Sequence, residues 1–411
     1  MNFIVTSRMV LACLIVVLLA TGCGLTFRKE KDSAGKLALA ELFAPVSRPA
    51  HAPATMSEFQ KGIVYASWWN GEYSSPESDK TLSLSINPMG INWIAIVVTC
   101  YQKTVASTQI KCQPQSSTPT DDDLIHVIQH AHRLGLRVML KPHIDLTEDA
   151  RHWRGEIGLG HNEADWKAWF ASYTRFITHY ASLAQSTNAD YFVVGTELVK
   201  TDSHADAWRN VIKAVRGIYN GPLTYASQHG VGEYSISWWD ALDAIGVDAY
   251  YSLAQNAHPS VAQIKARWIP IVKRLGNLSK KWKRPIILTE IGYESLEGTS
   301  RTPWKVEGEI VKLEEQADSY QAAFEAFAGQ KWLQGVFWWV WIPNSSQCGA
   351  LNNDFTACNK PAEDILRENY GVQPRSGSIP ASAVSISSSA RKEKTALVRA
   401  LTNSAQGRKM G

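Results

Sequence analysis

Two glutamates stand at the ends of apolar runs, where a carboxylate is costly unless a function or a partner retains it. Glu197 closes the segment DYFVVGTE, and Glu290 closes the segment RPIILTE. Cleavage of a glycosidic bond needs such a pair, with an acid that protonates the leaving oxygen and a nucleophile or base opposite. The alternative interpretation is a structural salt bridge at each strand end. Because tryptophans and tyrosines surround both glutamates, we favour the catalytic pair.

Eight further side chains near predicted strand ends could bind a substrate. The faces of Trp69 and Trp341 could stack on sugar rings, although many of the 16 tryptophans must lie in the core. His143 and Asp145 could hydrogen-bond to hydroxyl groups, and a histidine satisfied within its own loop is the alternative. The candidate substrate-binding residues are Trp69, Tyr101, His143, Asp145, Thr196, Asp248, Tyr250 and Trp341.

The sequence indicates neither a metal site nor a cofactor. His126 and His130 have the i, i+4 spacing of a helical metal pair, but they lack the glutamate of an HExxH motif. A solvated helix face is therefore the better interpretation of this pair. No phosphate-binding loop, dinucleotide fingerprint or serine-nucleophile elbow occurs in a supporting context.

Alternating strands and helices must position these side chains. Short runs rich in Val, Ile and aromatic residues predict eight strands, and longer segments of helical period separate them. The predicted strands are 62–68, 92–99, 137–144, 190–197, 222–228, 244–251, 284–291 and 335–341, and the clearest helices are 121–135, 163–186, 203–219, 260–282 and 314–329. This pattern predicts an α/β protein, a (β/α)8 TIM barrel with a single catalytic domain. The C-terminal ends of the strands carry the site in such barrels, so Glu197 and Glu290 should face each other across the mouth.

The phrases KPHIDL, WRGEI, VGTELV, GVDAYY, LTEIGYES and GVFWWVW, in this order, resemble glycoside hydrolase family 113 of clan A. The resemblance covers about residues 59–343 and implies a retaining (β/α)8 enzyme related to β-1,4-mannanases. It assigns the acid/base role to Glu197, the nucleophile role to Glu290, and a place against the nucleophile to Tyr250. Thr196 departs from the wider clan, which usually has an asparagine there to hold the sugar 2-hydroxyl, and a threonine has a shorter reach.

The main hypothesis is therefore a retaining glycoside hydrolase that acts on a β-linked polysaccharide or oligosaccharide, mannan first. One alternative is a catalytically silent carbohydrate-binding lipoprotein on the same barrel. Another is a transglycosylase that processes exopolysaccharide of the cell's own envelope.

Charge and composition exclude several classes of protein. The 411 residues are 45% hydrophobic and 19% charged, which excludes a mainly disordered or collagen-like chain. Residues 51–373 carry 29 basic and 34 acidic side chains, whereas residues 374–411 carry seven and one. A net-acidic body argues against a nucleic-acid partner. We expect a monomer whose catalytic domain spans 59–373, followed by a disordered basic tail at 374–411.

The first residues predict export and lipid attachment. Arg8 precedes an apolar run of 12 residues, Met9 to Ala20, and then Thr21-Gly22-Cys23. Such a run is too short for a membrane span and is typical of a signal peptide. The small residue before Cys23 resembles a lipobox, so we expect a signal peptide at 1–22, a lipidated Cys23 and a tether at 23–58. The expected location is the bacterial cell envelope, on a membrane; an ordinary secretory signal is the alternative.

Export to an oxidising compartment permits disulfides. Apart from Cys13 in the signal peptide and Cys23, the cysteines form two close pairs in sequence, and no Cys-x-x-Cys motif supports a zinc site. We therefore expect disulfides Cys100–Cys112 and Cys348–Cys358.

Overall fold

The computed structural model describes residues 58–113, 117–256, 259–305, 309–344, 346 and 348–374. The predicted signal peptide, Cys23, nearly all of the tether and residues 375–411 of the tail lie outside the described residues. The described residues therefore belong almost entirely to the predicted catalytic domain.

Eight parallel strands close into a barrel in which each strand pairs with its neighbours in sequence and β8 pairs with β1. The strands are β1 Gln60–Ala66, β2 Trp93–Gln102, β3 Arg137–Leu146, β4 Tyr191–Thr196, β5 Leu223–Gln228, β6 Ile245–Asp248, β7 Ile286–Ile291 and β8 Leu333–Trp341. Nearly every strand residue is buried, because the barrel interior covers one face of each strand and the helices cover the other. The predicted (β/α)8 fold is confirmed.

Helices connect the strands and pack around the outside of the barrel. They are α1 Pro76–Lys80, α2 Asp121–Arg133, α3 Glu163–Thr187, α4 Ala205–Arg216, α5 Gly232–Ser235, α6 Val261–Trp282, α7 Leu313–Phe327 and α8 Pro361–Asn369. All five helices predicted from the sequence are present. In α3 an Asn162–Asp165 capping box fixes the start, and its aromatic stripe from Trp169 to Tyr180 is buried against the barrel.

The core has two parts, which decide where a strand residue can act. An outer cluster lies between the barrel and the helices. A smaller inner cluster fills the barrel and includes Val97, Met139, Tyr250 and Trp339. Side chains of the inner set that lie near the C-terminal strand ends therefore point into the mouth.

The four remaining cysteines are joined in the two expected pairs. Cys100–Cys112 closes the loop after β2, with an S–S distance of 1.99 Å. Cys348–Cys358 closes the loop after β8 with the same S–S distance. Within the described ranges, no helix is both long and apolar enough to cross a membrane.

Candidate active site

Glu290 lies near the end of β7 with donors on both carboxylate oxygens. The Lys141 ammonium contacts Oε1 at 2.5 Å, and the Tyr250 hydroxyl donates to Oε2 at 2.8 Å. The His143 ring nitrogen Nε2 lies 3.8 Å from Oε1. Glu290 is 5% exposed, and donors of this kind favour the ionised carboxylate.

Asp248 at the end of β6 shares the same lysine. Lys141 Nζ lies 3.2 Å from Asp248 Oδ1, and the Thr289 hydroxyl donates to that oxygen at 2.7 Å. Burial, together with the negative charge of Glu290, raises the pKa of Asp248 well above its ordinary value, and Lys141 only partly offsets this. The pair therefore keeps a proton on Asp248 more readily than a second negative charge, which leaves Lys141 to neutralise Glu290.

The Tyr250 hydroxyl remains protonated. Burial and the charge of Glu290 raise the pKa of Tyr250 well above its usual range. The phenol is therefore a permanent hydrogen-bond donor to Glu290 over the pH range in which proteins work.

Glu197 directly follows β4 and is partly buried. Its backbone is left-handed, with φ of 53°, a conformation that costs a residue with a Cβ some stability. The Glu197 N–H donates to Ala226 O on β5 at 2.8 Å, and the Leu198 N–H donates to the Tyr225 hydroxyl at 2.9 Å. Hydrogen bonds on both sides therefore hold the turn that carries this carboxyl group.

Arg154 connects the two glutamates electrostatically. Its guanidinium contacts His143 Nδ1 and Asp145 Oδ2, each at 3.1 Å, and it is 5% exposed. Burial opposes its charge, but the charges of Asp145, Glu197 and Glu290 outweigh burial and raise the pKa of Arg154. Glu197 follows β4 and Glu290 lies near the end of β7, at the same C-terminal rim of the barrel, so Arg154 carries a positive charge beside both.

The end of β8 differs from the sequence prediction. Trp341 is 1% exposed and packs in the outer cluster, so its ring does not face the mouth. Trp339 belongs to the inner cluster, lies parallel to the His143 ring at 6.4 Å, and meets Trp68 edge-on. The pairing of β1 with β8 slips at this point, and such a bulge interrupts the alternation of inward and outward residues. Trp339, and not Trp341, is therefore the strand-8 tryptophan that lies in the inner cluster beside His143.

The other predicted binding residues differ in surroundings. Trp69 is 38% exposed on the loop after β1. The Tyr101 hydroxyl donates to Ser117 O at 3.0 Å, and burial, together with the charge of Asp145, raises the pKa of Tyr101 to about 12. The Thr196 hydroxyl oxygen is buried and has no hydrogen-bond partner among the described residues.

Three residues of the site were not predicted as such. Lys141 could have been found from strand period, because it precedes the candidate His143 by two residues on a predicted strand. Trp339 precedes Trp341 by two residues, but the slip between β1 and β8 decides which of the two points inward. Arg154 lies in the loop after β3 within a short 3-10 turn, and the only sequence signal for it was its place in the phrase WRGEI. In the part of the chain that the structure describes, no cluster of three or more His, Cys, Asp or Glu side chains could hold a metal ion.

Comparison with known proteins agrees with this geometry. The family model described as Glycoside Hydrolase Family 113 matches residues 65–360. A GH113 β-1,4-mannanase structure has a TM-score of 0.68 and 30% sequence identity, covering 76% of this chain and 99% of that chain. The GH113 β-mannanase AaManA from Alicyclobacillus acidocaldarius has a TM-score of 0.69 and 28% identity, covering 77% and 98%. Among curated proteins, none matches.

A closed (β/α)8 barrel with two glutamates at its mouth, matched in this way, defines an enzyme of the glycoside hydrolase class. The chain belongs to glycoside hydrolase family 113. A polysaccharide is the kind of substrate that this family suggests.

Proposed function

We propose that the protein hydrolyses β-1,4-mannan or its oligosaccharides with retention of configuration, Glu290 acting as the nucleophile and Glu197 as the acid/base. The observation that carries the proposal is the environment of Glu290. Donors from Lys141 and Tyr250 on the two oxygens of this buried carboxylate orient it, and such donors favour the charged form that a nucleophile needs. The mannan assignment rests on the β-mannanases to which the chain is similar.

In the first step, a carboxylate oxygen of Glu290 attacks the anomeric carbon while Glu197 gives its proton to the glycosidic oxygen. The bond to the leaving sugar breaks, and a glycosyl ester of Glu290 forms. Tyr250 and Lys141 hold the attacking carboxylate, and Arg154 balances the negative charge of both glutamates. In the second step, Glu197 removes a proton from water, which attacks the same carbon and releases Glu290.

Contacts to the sugar are proposed for the remaining mouth residues. Trp339 would stack on the sugar ring at the site of cleavage. The buried Thr196 hydroxyl oxygen has no partner among the described residues, and this hydroxyl would form a hydrogen bond with a sugar hydroxyl. Trp69, exposed on the loop after β1, would contact a sugar farther along the chain.

The test compares Glu290→Gln, Glu197→Ala and wild type on manno-oligosaccharides and on activated aryl β-mannosides. Glu290→Gln should abolish turnover of both. Glu197→Ala should lose far more activity on the oligosaccharides, because an activated phenol departs without a proton. Azide should restore its turnover of the aryl substrate and give a β-glycosyl azide, since azide needs no base.

Glu148→Gln is the matched control, because Glu148 lies on the rim after β3 in an exposed pair with Lys103. It should behave as wild type. An azide product of α configuration contradicts the assignment. So does a Glu197→Ala variant that loses activity equally on both substrates and is not rescued by azide. A folded wild type that binds mannan but hydrolyses no β-glycan would instead indicate a carbohydrate-binding protein.

A further inference from the structure

Four buried aromatic side chains lie behind β4, and their polar atoms contact the backbone on both sides of Glu197. We call them the aromatic wall; its members are Tyr173, Trp208, Tyr225 and Trp238. The Tyr173 hydroxyl donates to Val194 O at 2.6 Å, before Glu197. After Glu197, the indoles of Trp208 and Trp238 each donate at 3.0 Å, to Thr201 O and Asp202 O. The wall therefore contacts the turn on both sides of the acid/base.

Gly195 shows how closely the wall approaches. A Cβ at this position would lie 2.8 Å from Tyr225 Cε2, 2.9 Å from Trp208 Cη2 and 2.9 Å from the Tyr173 hydroxyl. Side chains of this density have little freedom to shift, so the rings fix the position of the strand end that precedes Glu197.

One member of the wall contacts the residue next to Glu197. The Tyr225 hydroxyl accepts from the Leu198 N–H at 2.9 Å and donates to Asp202 Oδ1 at 2.7 Å. Asp202 is 3% exposed, and its other oxygen has no hydrogen-bond partner among the described residues. A buried carboxyl group with an unpaired oxygen destabilises a fold, which suggests that Asp202 serves another purpose.

We propose that Tyr225 and Asp202 are positioning residues that hold Glu197 in place for proton transfer, an inference that rests on the function proposed above. The left-handed backbone of Glu197 is unfavourable, so something must prevent it from relaxing. Tyr225 does so by binding the following N–H group, and Asp202 orients the Tyr225 hydroxyl so that its lone pair faces that group. Without this bond the turn relaxes and the Glu197 carboxyl moves away from the leaving oxygen.

The burial of Asp202 supports this role. Burial raises the pKa of Asp202 to about 8, although the Tyr225 hydrogen bond opposes the rise. The carboxyl group is therefore mainly neutral near pH 7, so it can accept from Tyr225 without placing a second charge behind the acid/base.

The decisive variant is Tyr225→Phe, which removes one oxygen and keeps the ring in the wall. Its kcat/KM on mannohexaose should fall about 10- to 100-fold, because a misplaced general acid loses most of its effect. The value on an activated aryl β-mannoside should fall much less, since that leaving group needs no proton. KM on mannohexaose should change less than kcat.

Tyr219→Phe is the matched control. Tyr219 is also buried and donates to a backbone carbonyl, Ala189 O at 2.7 Å, but that carbonyl precedes β4 at the opposite end of the barrel. This variant should keep the wild-type ratio between the two substrates. A second pair of variants tests the inference if Tyr225→Phe does not fold. Asp202→Asn, which keeps an acceptor oxygen, should lose less activity on mannohexaose than Asp202→Leu.

If Tyr225→Phe loses kcat/KM equally on both substrates, or loses none, the inference is overturned and the proposed function is unaffected. The same holds if Asp202→Asn and Asp202→Leu are indistinguishable. A folded wild type without activity on either substrate overturns the proposed function, and the positioning role with it.

Discussion

Lys141 serves two carboxylates at once. Its ammonium lies between Glu290 and Asp248 and is fully buried. One cation between two acids can neutralise one charge, and burial together with the charge of Glu290 raises the pKa of Asp248. The lysine is therefore a counter-charge that the Glu290 carboxylate shares with Asp248.

Lys141→Met tests this role. We expect kcat/KM to fall about 100-fold, the loss seen when a single electrostatic contact is removed from an active site. The acid limb of the pH profile should move to higher pH, because the two carboxylates would then compete for one proton without a counter-charge. The measurement is kcat/KM against pH, with Lys103→Met on the exposed rim as the control. An unshifted acid limb would argue that Lys141 acts only through packing.

Asp202 should also make stability depend on pH. Its pKa is about 8 in the folded protein against about 3.9 for an unperturbed aspartate, so the folded state binds this proton more tightly. Tighter proton binding by Asp202 in the folded state stabilises the protein fully below about pH 4. This stabilisation is lost progressively as the pH rises towards about 8, because the carboxyl group then ionises.

Asp202→Asn cannot titrate, so its Tm should fall less than that of wild type between about pH 4 and pH 8. The measurement is thermal unfolding across this interval. Asp206→Asn, at an exposed position on α4, should follow the wild-type curve. Parallel Tm curves for wild type and Asp202→Asn would show that Asp202 ionises normally.

At the scale of elements, β4 and the wall behind it form one unit. The strand ends in Gly195-Thr196 and is followed by Glu197, and Gly195 and Glu197 have different constraints. Gly195 must lack a side chain because a Cβ there would lie less than 3.0 Å from three aromatic side chains. Glu197 must adopt a left-handed backbone. Packing against the aromatic wall thus requires the glycine at 195, and the left-handed turn at Glu197 directs the carboxyl-bearing residue at the end of the strand.

Gly195→Ala should therefore destabilise the protein by about 1–3 kcal/mol, as overpacking of a dense core does. It should also lower activity, because the displaced strand end carries Glu197. Gly217→Ala is the matched control: its Cβ would meet only backbone oxygens at 3.4 Å or more, at the end of α4. Denaturant unfolding and kcat on mannohexaose measure both effects, and equal stability of the two variants would contradict the packing argument.

The eight strands were predictable because each is buried on both faces and so carries a mainly apolar run. α5, four residues long, and α8 were not predicted, since elements so short give no clear period. At the site, Glu197 and Glu290 could be singled out because each closes an apolar run, whereas the family resemblance placed Tyr250 against the nucleophile. The position of Trp341 could not, because the slip between β1 and β8 changes which tryptophan points inward. Arg154 reaches the site from a loop, and loop conformation leaves no periodic trace in sequence.

On the scale of the whole molecule, one side of the mouth exposes large apolar side chains. Trp69, Trp304 and Leu351 are 38%, 36% and 72% exposed on the loops after β1, β7 and β8, and these three strands are neighbours in the barrel. Exposed apolar surface beside a site favours contact with a ligand. The arrangement suits a substrate that extends beyond the sugar being cleaved.

The N-terminal prediction also belongs to this scale and concerns residues outside the described ones. Wild-type protein made in a bacterium should partition with membranes, because the acyl chains of a lipoprotein anchor bury a large apolar area. Cys23→Ser should be released or remain unprocessed. Fractionation and mass measurement of the mature N-terminus check this, and soluble periplasmic wild type would contradict it.

The aromatic wall has an optical consequence. Trp208 and Trp238 are stacked with ring centroids 5.0 Å apart and planes inclined by 15°. Indoles this close couple their electronic transitions, so the pair should give a circular dichroism couplet whose sign and amplitude depend on the angle between the rings. Because both indoles donate hydrogen bonds to the backbone that follows Glu197, the couplet would report changes in the conformation of that turn. It could be followed during unfolding or titration without any label or substrate.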